Sequence, residues 1–111
     1  MSQKALKELQ SGIAKLSERH GSFVQKMMDL SEEAAKDGAL SQKMKKLIFV
    51  ALAVNQNCRH CIAHHVHDAL KAGATPDEIL EACQVTAVMG GGPNLALTAT
   101  AVQDAIAAFG S

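Results

Sequence analysis

Residues 58–78 read CRHCIAHHVHDALKAGATPDE, and this stretch contains one helix, its end and the start of the next helix. Apolar residues recur at three- and four-residue steps, which predicts a helix over Cys58 to Ala72 that Gly73 stops. Thr75 and Glu78 then form a capping-box pattern, with proline at the first helical position between them. The stretch therefore predicts two consecutive helices.

The segments upstream of this stretch predict three further helices. The first covers residues 2–17 and the second covers Ser22 to Lys36, with Gly38 after it. A third helix follows an N-cap at Ser41 and turns apolar on all sides, so we expect its second half to be buried. Four apolar residues share one face of the second helix and are expected to point inward: Phe23, Met27, Leu30 and Ala34.

Downstream, the helix that starts at the capping box is predicted to run to about Met89. Three glycines and Pro93 then break the chain, and a last helix rich in small residues completes it. Because every long segment has helical periodicity, the sequence predicts an all-α fold of about five to six helices. At 111 residues we expect one domain over residues 1–111.

Composition and charge exclude several classes of protein. Eleven basic and eleven acidic residues leave a net charge of zero, and there is no Trp or Tyr, so nucleic acid is an unexpected partner. The longest apolar run, Leu47 to Val54, is far shorter than the roughly 20 residues that span a bilayer. No secretory signal is evident, and we expect a cytoplasmic protein without membrane contact.

Two cysteines and a histidine carry the chemistry. On a helix, Cys58, Cys61 and His65 fall on one narrow stripe, with both sulfurs in the first turn. Unsatisfied backbone N–H groups and the helix dipole there favour thiolates, and an i, i+3 pair can close a disulfide. The expected reaction is thiolate attack on a peroxide or a disulfide, closure of the pair, and reduction by an external dithiol, with no metal or organic cofactor required.

The run NCRHCIAHH over residues 57–65 precedes KAGATPDEILEA over residues 71–82 and GGGP over residues 90–93. Together these motifs resemble the core of the AhpD-like alkylhydroperoxidases within the carboxymuconolactone decarboxylase family. The resemblance covers residues 40–109, with residues 1–39 as N-terminal helices. It implies an all-helical trimer or hexamer, a peroxidase or thiol-disulfide activity, and reduction by lipoylated or other dithiol proteins.

The resemblance also implies roles for single residues. Cys58 and Cys61 match the redox pair, His65 matches the histidine of the proton relay, and some members have a histidine that matches His60. The family commonly has a glutamate twelve residues before the first cysteine, and this chain has Lys46 there. A protonated lysine is no base, so we expect weak peroxidase activity or another substrate, with the dithiol chemistry retained.

Other interpretations of the same residues stay open at this point. One is a decarboxylase-like member of the wider family without a redox role, although only Arg19 and Arg59 are available to bind a dicarboxylate substrate. Another is a non-catalytic oligomeric module or a zinc-binding one, for which Cys58, Cys61 and His65 are the candidate ligands. Cys83 lies among apolar residues, and we expect it to be buried as a small hydrophobic residue.

Overall fold

The structure, a computed structural model, describes residues 1–110. This part of the chain forms six α-helices and one π-helical turn, with no β-strand: α1 Ser2–Ala35, α2 Gln42–Asn55, α3 Arg59–Lys71, α4 Pro76–Gly90, α5 Gly92–Leu97, the π-helical turn Thr98–Val102 and α6 Gln103–Phe109. The prediction of an all-α fold is confirmed. No helix in the described part of the chain is both long enough and apolar enough to cross a bilayer.

The first helix differs from its prediction. The sequence predicts two helices that are separated near Gly21, whereas α1 runs through this point with a kink and no loop. The kink lies at His20, whose φ of −134° and ψ of 50° are not helical. Glycine weakens a helix, but it ends one only where it adopts the left-handed conformation of a C-terminal cap. Gly21 does not adopt that conformation, so the hydrogen-bonded turns on both sides of it continue.

The inward face predicted for the second half of α1 is wrong. The buried residues there are Val24 and Ala35, which lie about 100° round the helix from the predicted stripe. The four residues expected to point inward are exposed: Phe23, Met27, Leu30 and Ala34. The sequence pattern found an apolar stripe correctly, but it does not say whether the same chain covers that stripe.

Two helix starts follow from local sequence as predicted. The Ser41 hydroxyl accepts a hydrogen bond from the Met44 amide at 3.1 Å and caps α2. At α4, the Thr75 hydroxyl accepts from the Glu78 amide at 3.1 Å, and the Glu78 carboxylate accepts from the Thr75 amide at 2.9 Å. This reciprocal capping box fixes the start of α4 at Pro76, after the turn that follows α3.

The core lies where α2, α3 and α4 meet the C-terminal helical segment. Cys83 is a free cysteine in this core, and burial raises the pKa of its thiol, so the prediction of a buried Cys83 is confirmed. Because the core packs α3 against α2, it fixes the start of α3 relative to α2. The largest fully buried side chains are Ile62, Ile79, Val50, Val54, Val66, Val102 and Cys83.

A buried asparagine holds the glycine-rich break to two other helices. The Asn94 amide group donates to Asn55 Oδ1 at 3.0 Å and to both the carbonyl and the hydroxyl of Thr86, at 2.9 and 3.0 Å. Its side chain also fills the space that a Cβ on Gly90 would need. Asn94 thus holds α5 against α2 and α4 through these hydrogen bonds.

The second half of α2 is only partly buried, in contrast to its prediction. Leu47, Val50 and Val54 enter the core, whereas Ile48 and Leu52 are exposed. Burial follows one face of the helix, because α3 and α4 pack against α2 and no other element covers its remaining side within residues 1–110. An apolar surface on α2 is therefore left uncovered.

Candidate redox site

Cys58 is the N-cap of α3 rather than a residue of its first turn. The left-handed Asn57, with φ 55°, turns the chain out of α2, and Cys58 then adopts an extended conformation. The Cys58 Sγ accepts a hydrogen bond from the Cys61 amide at 3.1 Å. The helix therefore begins one residue later than predicted, and its N-terminus is capped by sulfur.

The structure brings the two cysteines of the motif together. Their Cα atoms are 5.1 Å apart, and their Sγ atoms are at disulfide-bonding distance. This Cα separation lies within the range that disulfides require. Both residues are partly exposed, so a small oxidant or an incoming dithiol has access to the sulfur pair.

His65 lies one helical turn beyond Cys61 and is held against α2. Its ring stacks on the ring of Phe49, with 5.2 Å between the centroids, and its Nδ1 is buried without a hydrogen-bond partner within residues 1–110. Desolvation by burial and the neighbouring His64 lower the pKa of His65 from 6.5 to about 4, Asp68 opposes this shift, and Lys46 adds a small lowering. The imidazole is therefore neutral near pH 7 and has a free ring nitrogen.

Asp68 is a carboxylate in contact with Lys46, which stands where the resemblance leads us to expect a glutamate. The Lys46 ammonium lies 3.5 Å from Asp68 Oδ2, and His64 Nε2 lies 3.5 Å from the same oxygen. His67 Nδ1 is 3.8 Å from the other oxygen, Oδ1. Lys46 is thus part of an ion pair between α2 and α3, and its charge is balanced by Asp68.

Phe49 and Asp68 are part of the site, although the sequence alone predicts no role for them. The available signal for Phe49 was its i, i+3 spacing from Lys46, which puts both residues on one face of α2. For Asp68 the signal was its i, i+4 spacing from His64 on α3. Neither spacing identifies a partner on another helix, so these contacts became visible only in the folded chain.

His60 lies beside α1. Its Nε2 is 3.7 Å from Glu8 Oε1, and about half of its side chain is exposed. It follows Cys58 by two residues and precedes Cys61, so it stays close to the sulfur pair along the chain. Its side chain nevertheless contacts Glu8 on α1.

The described residues do not form a metal site. Within residues 1–110, no three His, Cys, Asp or Glu side chains are arranged to hold one ion. Cys58 is the N-cap of α3, Cys61 and His65 follow it by three and seven residues, and the three side chains do not converge as a ligand set. The zinc-binding interpretation therefore has no ligand set in this part of the chain.

Comparison with known proteins gives the same family from sequence and from structure. The apo crystal structure of a carboxymuconolactone decarboxylase family protein from Legionella pneumophila superposes with a TM-score of 0.93 at 34% identity, covering 99% of this chain and 97% of that one. An uncharacterised protein of Cupriavidus necator is 32% identical over 88 residues, or 79% of this chain and 78% of that protein.

Another relative is the uncharacterised protein 4 of the cox locus of Paracoccus denitrificans, which is 44% identical over 63 residues, or 57% of each chain. The sequence model of the carboxymuconolactone decarboxylase family matches residues 22–105, from the second half of α1 into α6. With this match over most of its length, the chain belongs to the carboxymuconolactone decarboxylase family.

Proposed function

We propose that this protein is an AhpD-like dithiol oxidoreductase that cycles Cys58 and Cys61 between dithiol and disulfide. His65 moves the proton and His60 has an auxiliary role. The observation that carries the proposal is the sulfur pair at the N-terminus of α3, one turn from a half-buried imidazole whose buried Nδ1 has no hydrogen-bond partner within residues 1–110. The family includes enzymes, and this site has the groups that thiol redox chemistry needs.

The proposed peroxide cycle balances without a cofactor. One thiolate attacks a peroxide oxygen, forming a sulfenic acid and an alkoxide that takes up a proton to become the alcohol. The second thiol attacks the sulfenic sulfur and expels water, which closes the disulfide. An external dithiol then returns two electrons and two protons and is itself oxidised to a disulfide. A disulfide substrate enters the same cycle through thiol-disulfide exchange.

The N-cap position of Cys58 supports thiolate formation. The backbone amide of Cys61 already donates to the Cys58 sulfur, and the positive end of the α3 dipole points towards it. Both effects stabilise a negative sulfur more than a neutral one. Cys58 is accordingly the sulfur whose ionised form the helix favours.

Because His65 is neutral near pH 7, it is suited to accept a proton from a thiol and to donate it onward. Because its pKa is about 4, a charged imidazole is unfavourable while the disulfide is closed. When the pair is reduced and ionised, a nearby thiolate favours the charged imidazole and makes the ring a better base. Cys61, four residues earlier on the same helix face, is the sulfur with which His65 exchanges the proton.

The Lys46–Asp68 pair supports a weaker proton relay than one with a glutamate at position 46. Lys46 cannot accept a proton while it is charged, and it forms an ion pair with the carboxylate of Asp68. Its positive charge also disfavours a second positive charge on His65. We therefore propose weak turnover of peroxides, or a different oxidant such as a disulfide, with the dithiol chemistry intact.

The proposed cycle implies partners and a compartment. An external dithiol such as a lipoylated protein is the reductant, and a peroxide or a disulfide is the oxidant. A reducing compartment such as the cytoplasm maintains such reductants. We also propose a homo-oligomer, a trimer or a hexamer, formed by single AhpD-like domains that cover residues 1–111.

Mass spectrometry of the peroxide-treated protein tests the central claim. Reduced protein given one equivalent of peroxide should lose two hydrogens in mass, and Cys83 alone should remain open to alkylation after denaturation. Cys58→Ser and Cys61→Ser should each abolish this loss, whereas the matched variant Cys83→Ser should retain it. Two free thiols at positions 58 and 61 after oxidation would contradict the proposal and favour a family activity without a redox role.

A charge reversal at position 46 tests the relay. Lys46→Glu restores a carboxylate and removes the cation that disfavours charged His65, so peroxide turnover should rise about tenfold. Lys45→Glu is the matched control, because its ammonium contacts the Lys36 carbonyl and not α3. Equal peroxide turnover in both variants and the natural protein would remove Lys46 from the mechanism.

A further inference from the structure

The second half of α1 has an apolar stripe that no part of the described chain covers. With Phe23 at 0°, Met27 and Leu30 fall at about 40° and 340°, whereas buried Val24 and Ala35 fall at about 100° and 120°. The exposed fractions of Phe23, Met27 and Leu30 are 65%, 55% and 65%. We call these three residues the α1 stripe, and a helix that presents such a stripe needs a partner surface.

A groove between α2 and α4 has matching properties. It has a volume of about 500 Å³, and its lining is almost entirely apolar, with Glu78 and Glu81 as its only charged residues. Ile48, Leu52 and Val85 line it, and their exposed fractions are 41%, 52% and 66%. We call it the α2–α4 groove, and it has the shape that receives an amphipathic helix.

The two surfaces agree in length and in charge. Phe23 and Leu30 are about 11 Å apart along α1, and Met44 and Leu52, at the two ends of the groove wall, are about 12 Å apart along α2. Lys26 flanks the stripe, and Glu81 lines the groove. Neither has an ion-pair partner within residues 1–110, so each is free to pair with the other across a contact.

We propose that the α1 stripe of one copy of this chain docks in the α2–α4 groove of a second copy, and that the two copies exchange these helices reciprocally. The chain supplies both halves of the contact, which makes a second copy the occupant. This proposal specifies surfaces for the homo-oligomer proposed above. Because the exchange joins copies in pairs, it fits the hexamer of the two assemblies proposed above, as three such pairs, and does not fit the trimer.

The buried surface area favours reciprocal exchange of two helices rather than a single helix-in-groove contact. If large apolar side chains contribute about 200 Å² each when fully covered, the exposed fractions of the three stripe residues and of Ile48, Leu52 and Val85 give roughly 700 Å² for one junction, a size typical of weak contacts. Reciprocal exchange doubles this to about 1,400 Å², within the range of about 1,200 to 2,000 Å² that stable interfaces bury. Each copy then covers both of its apolar surfaces.

Chain mass in solution tests the surfaces. Light scattering should give the natural protein as two copies of the 11.7 kDa chain or a multiple of two. The stripe variant Phe23→Ser/Met27→Ser/Leu30→Ser and the groove variant Ile48→Ser/Leu52→Ser/Val85→Ser should each give one copy. Leu95→Ser is the matched control, because Leu95 is exposed and lies on neither surface.

Cross-linking tests which surface meets which. A carbodiimide that joins amines to carboxylates directly should link Lys26 to Glu81 or Glu78 in the two-copy species of the natural protein. This measurement uses the unmodified chain, so it decides the proposal even if a triple variant does not fold. A two-copy species without a link between residues 21–35 and residues 78–85 would overturn the exchange, as would a variant that keeps the natural mass.

A single-copy natural protein would overturn both the exchange and the proposed homo-oligomer, and a three-copy protein would overturn the exchange alone. If the natural protein associates but both variants keep its mass, only the exchanged surfaces are wrong. Neither measurement depends on Cys58 or Cys61, so the redox proposal stands or falls separately.

Discussion

Acidification should destabilise the oxidised protein through His65. The folded chain holds the pKa of this imidazole at about 4, against 6.5 in an unfolded chain. As the pH falls below 6.5 the unfolded state takes up the proton first, so the free energy of unfolding decreases until the folded state is also protonated, near pH 4. Above pH 6.5 both states are neutral, and His65 causes no pH dependence.

The size of the effect follows from the same shift. A full difference of this size corresponds to about 3.4 kcal/mol, at about 1.36 kcal/mol for each pKa unit. The ring is only partly buried, and solvent screening reduces the expected loss to about 2 kcal/mol. This is a large part of the stability of a small domain, which is about 5 to 15 kcal/mol.

Urea denaturation of the oxidised protein between pH 7.5 and 4.5 measures this loss. The control is His65→Gln, which has no titrating ring. Glu78 and Asp104, whose carboxyl pKa values are lowered by hydrogen bonds, destabilise both proteins as they protonate, so they cancel in the comparison. If the two proteins lose stability in parallel, or if the His65 ring titrates near pH 6.5 by NMR, the lowered pKa of His65 is refuted.

Three stability predictions concern the scaffold that holds the site, and urea denaturation at pH 7.5 measures each. Asn94→Ala should cost about 2 to 4 kcal/mol, because it leaves buried acceptors on Thr86 without a donor; a cost below about 0.5 kcal/mol would mean that water replaces the amide. Thr75→Ala should cost about 1 kcal/mol by removing half of the capping box, and Thr75→Ser should restore most of it. Ile79→Ala should cost about 2 to 5 kcal/mol because Ile79 is fully buried, and an unchanged urea midpoint would contradict its place in the core.

Local sequence was sufficient wherever one helix contains all the information. The capping box at Thr75, the N-cap at Ser41 and the spacing of Cys58 and Cys61 are such cases, and the structure has the helices that they predict, with α3 beginning one residue later than expected. Hydrogen bonds between residues three apart decide these features, so distant parts of the chain do not change them.

Contacts between residues on two different helices could not be predicted from local sequence. The environment of His65 comes from Phe49 on α2, and the Lys46–Asp68 pair joins α2 to α3. The face of α1 that enters the core was also undetermined, because periodicity reports an apolar stripe and not its partner. Such contacts depend on how helices are oriented relative to each other, which no short motif specifies.

The space between Gly90 and Asn94 has a consequence for variation among related chains. The asparagine side chain occupies the volume that a Cβ at position 90 would need, so any other residue at position 90 must displace the amide from its acceptors. A relative with alanine or serine there should therefore have a smaller residue than asparagine at position 94. These two positions are expected to change as a pair, and an alignment in which they vary independently would show that the backbone can move α5 away from α4.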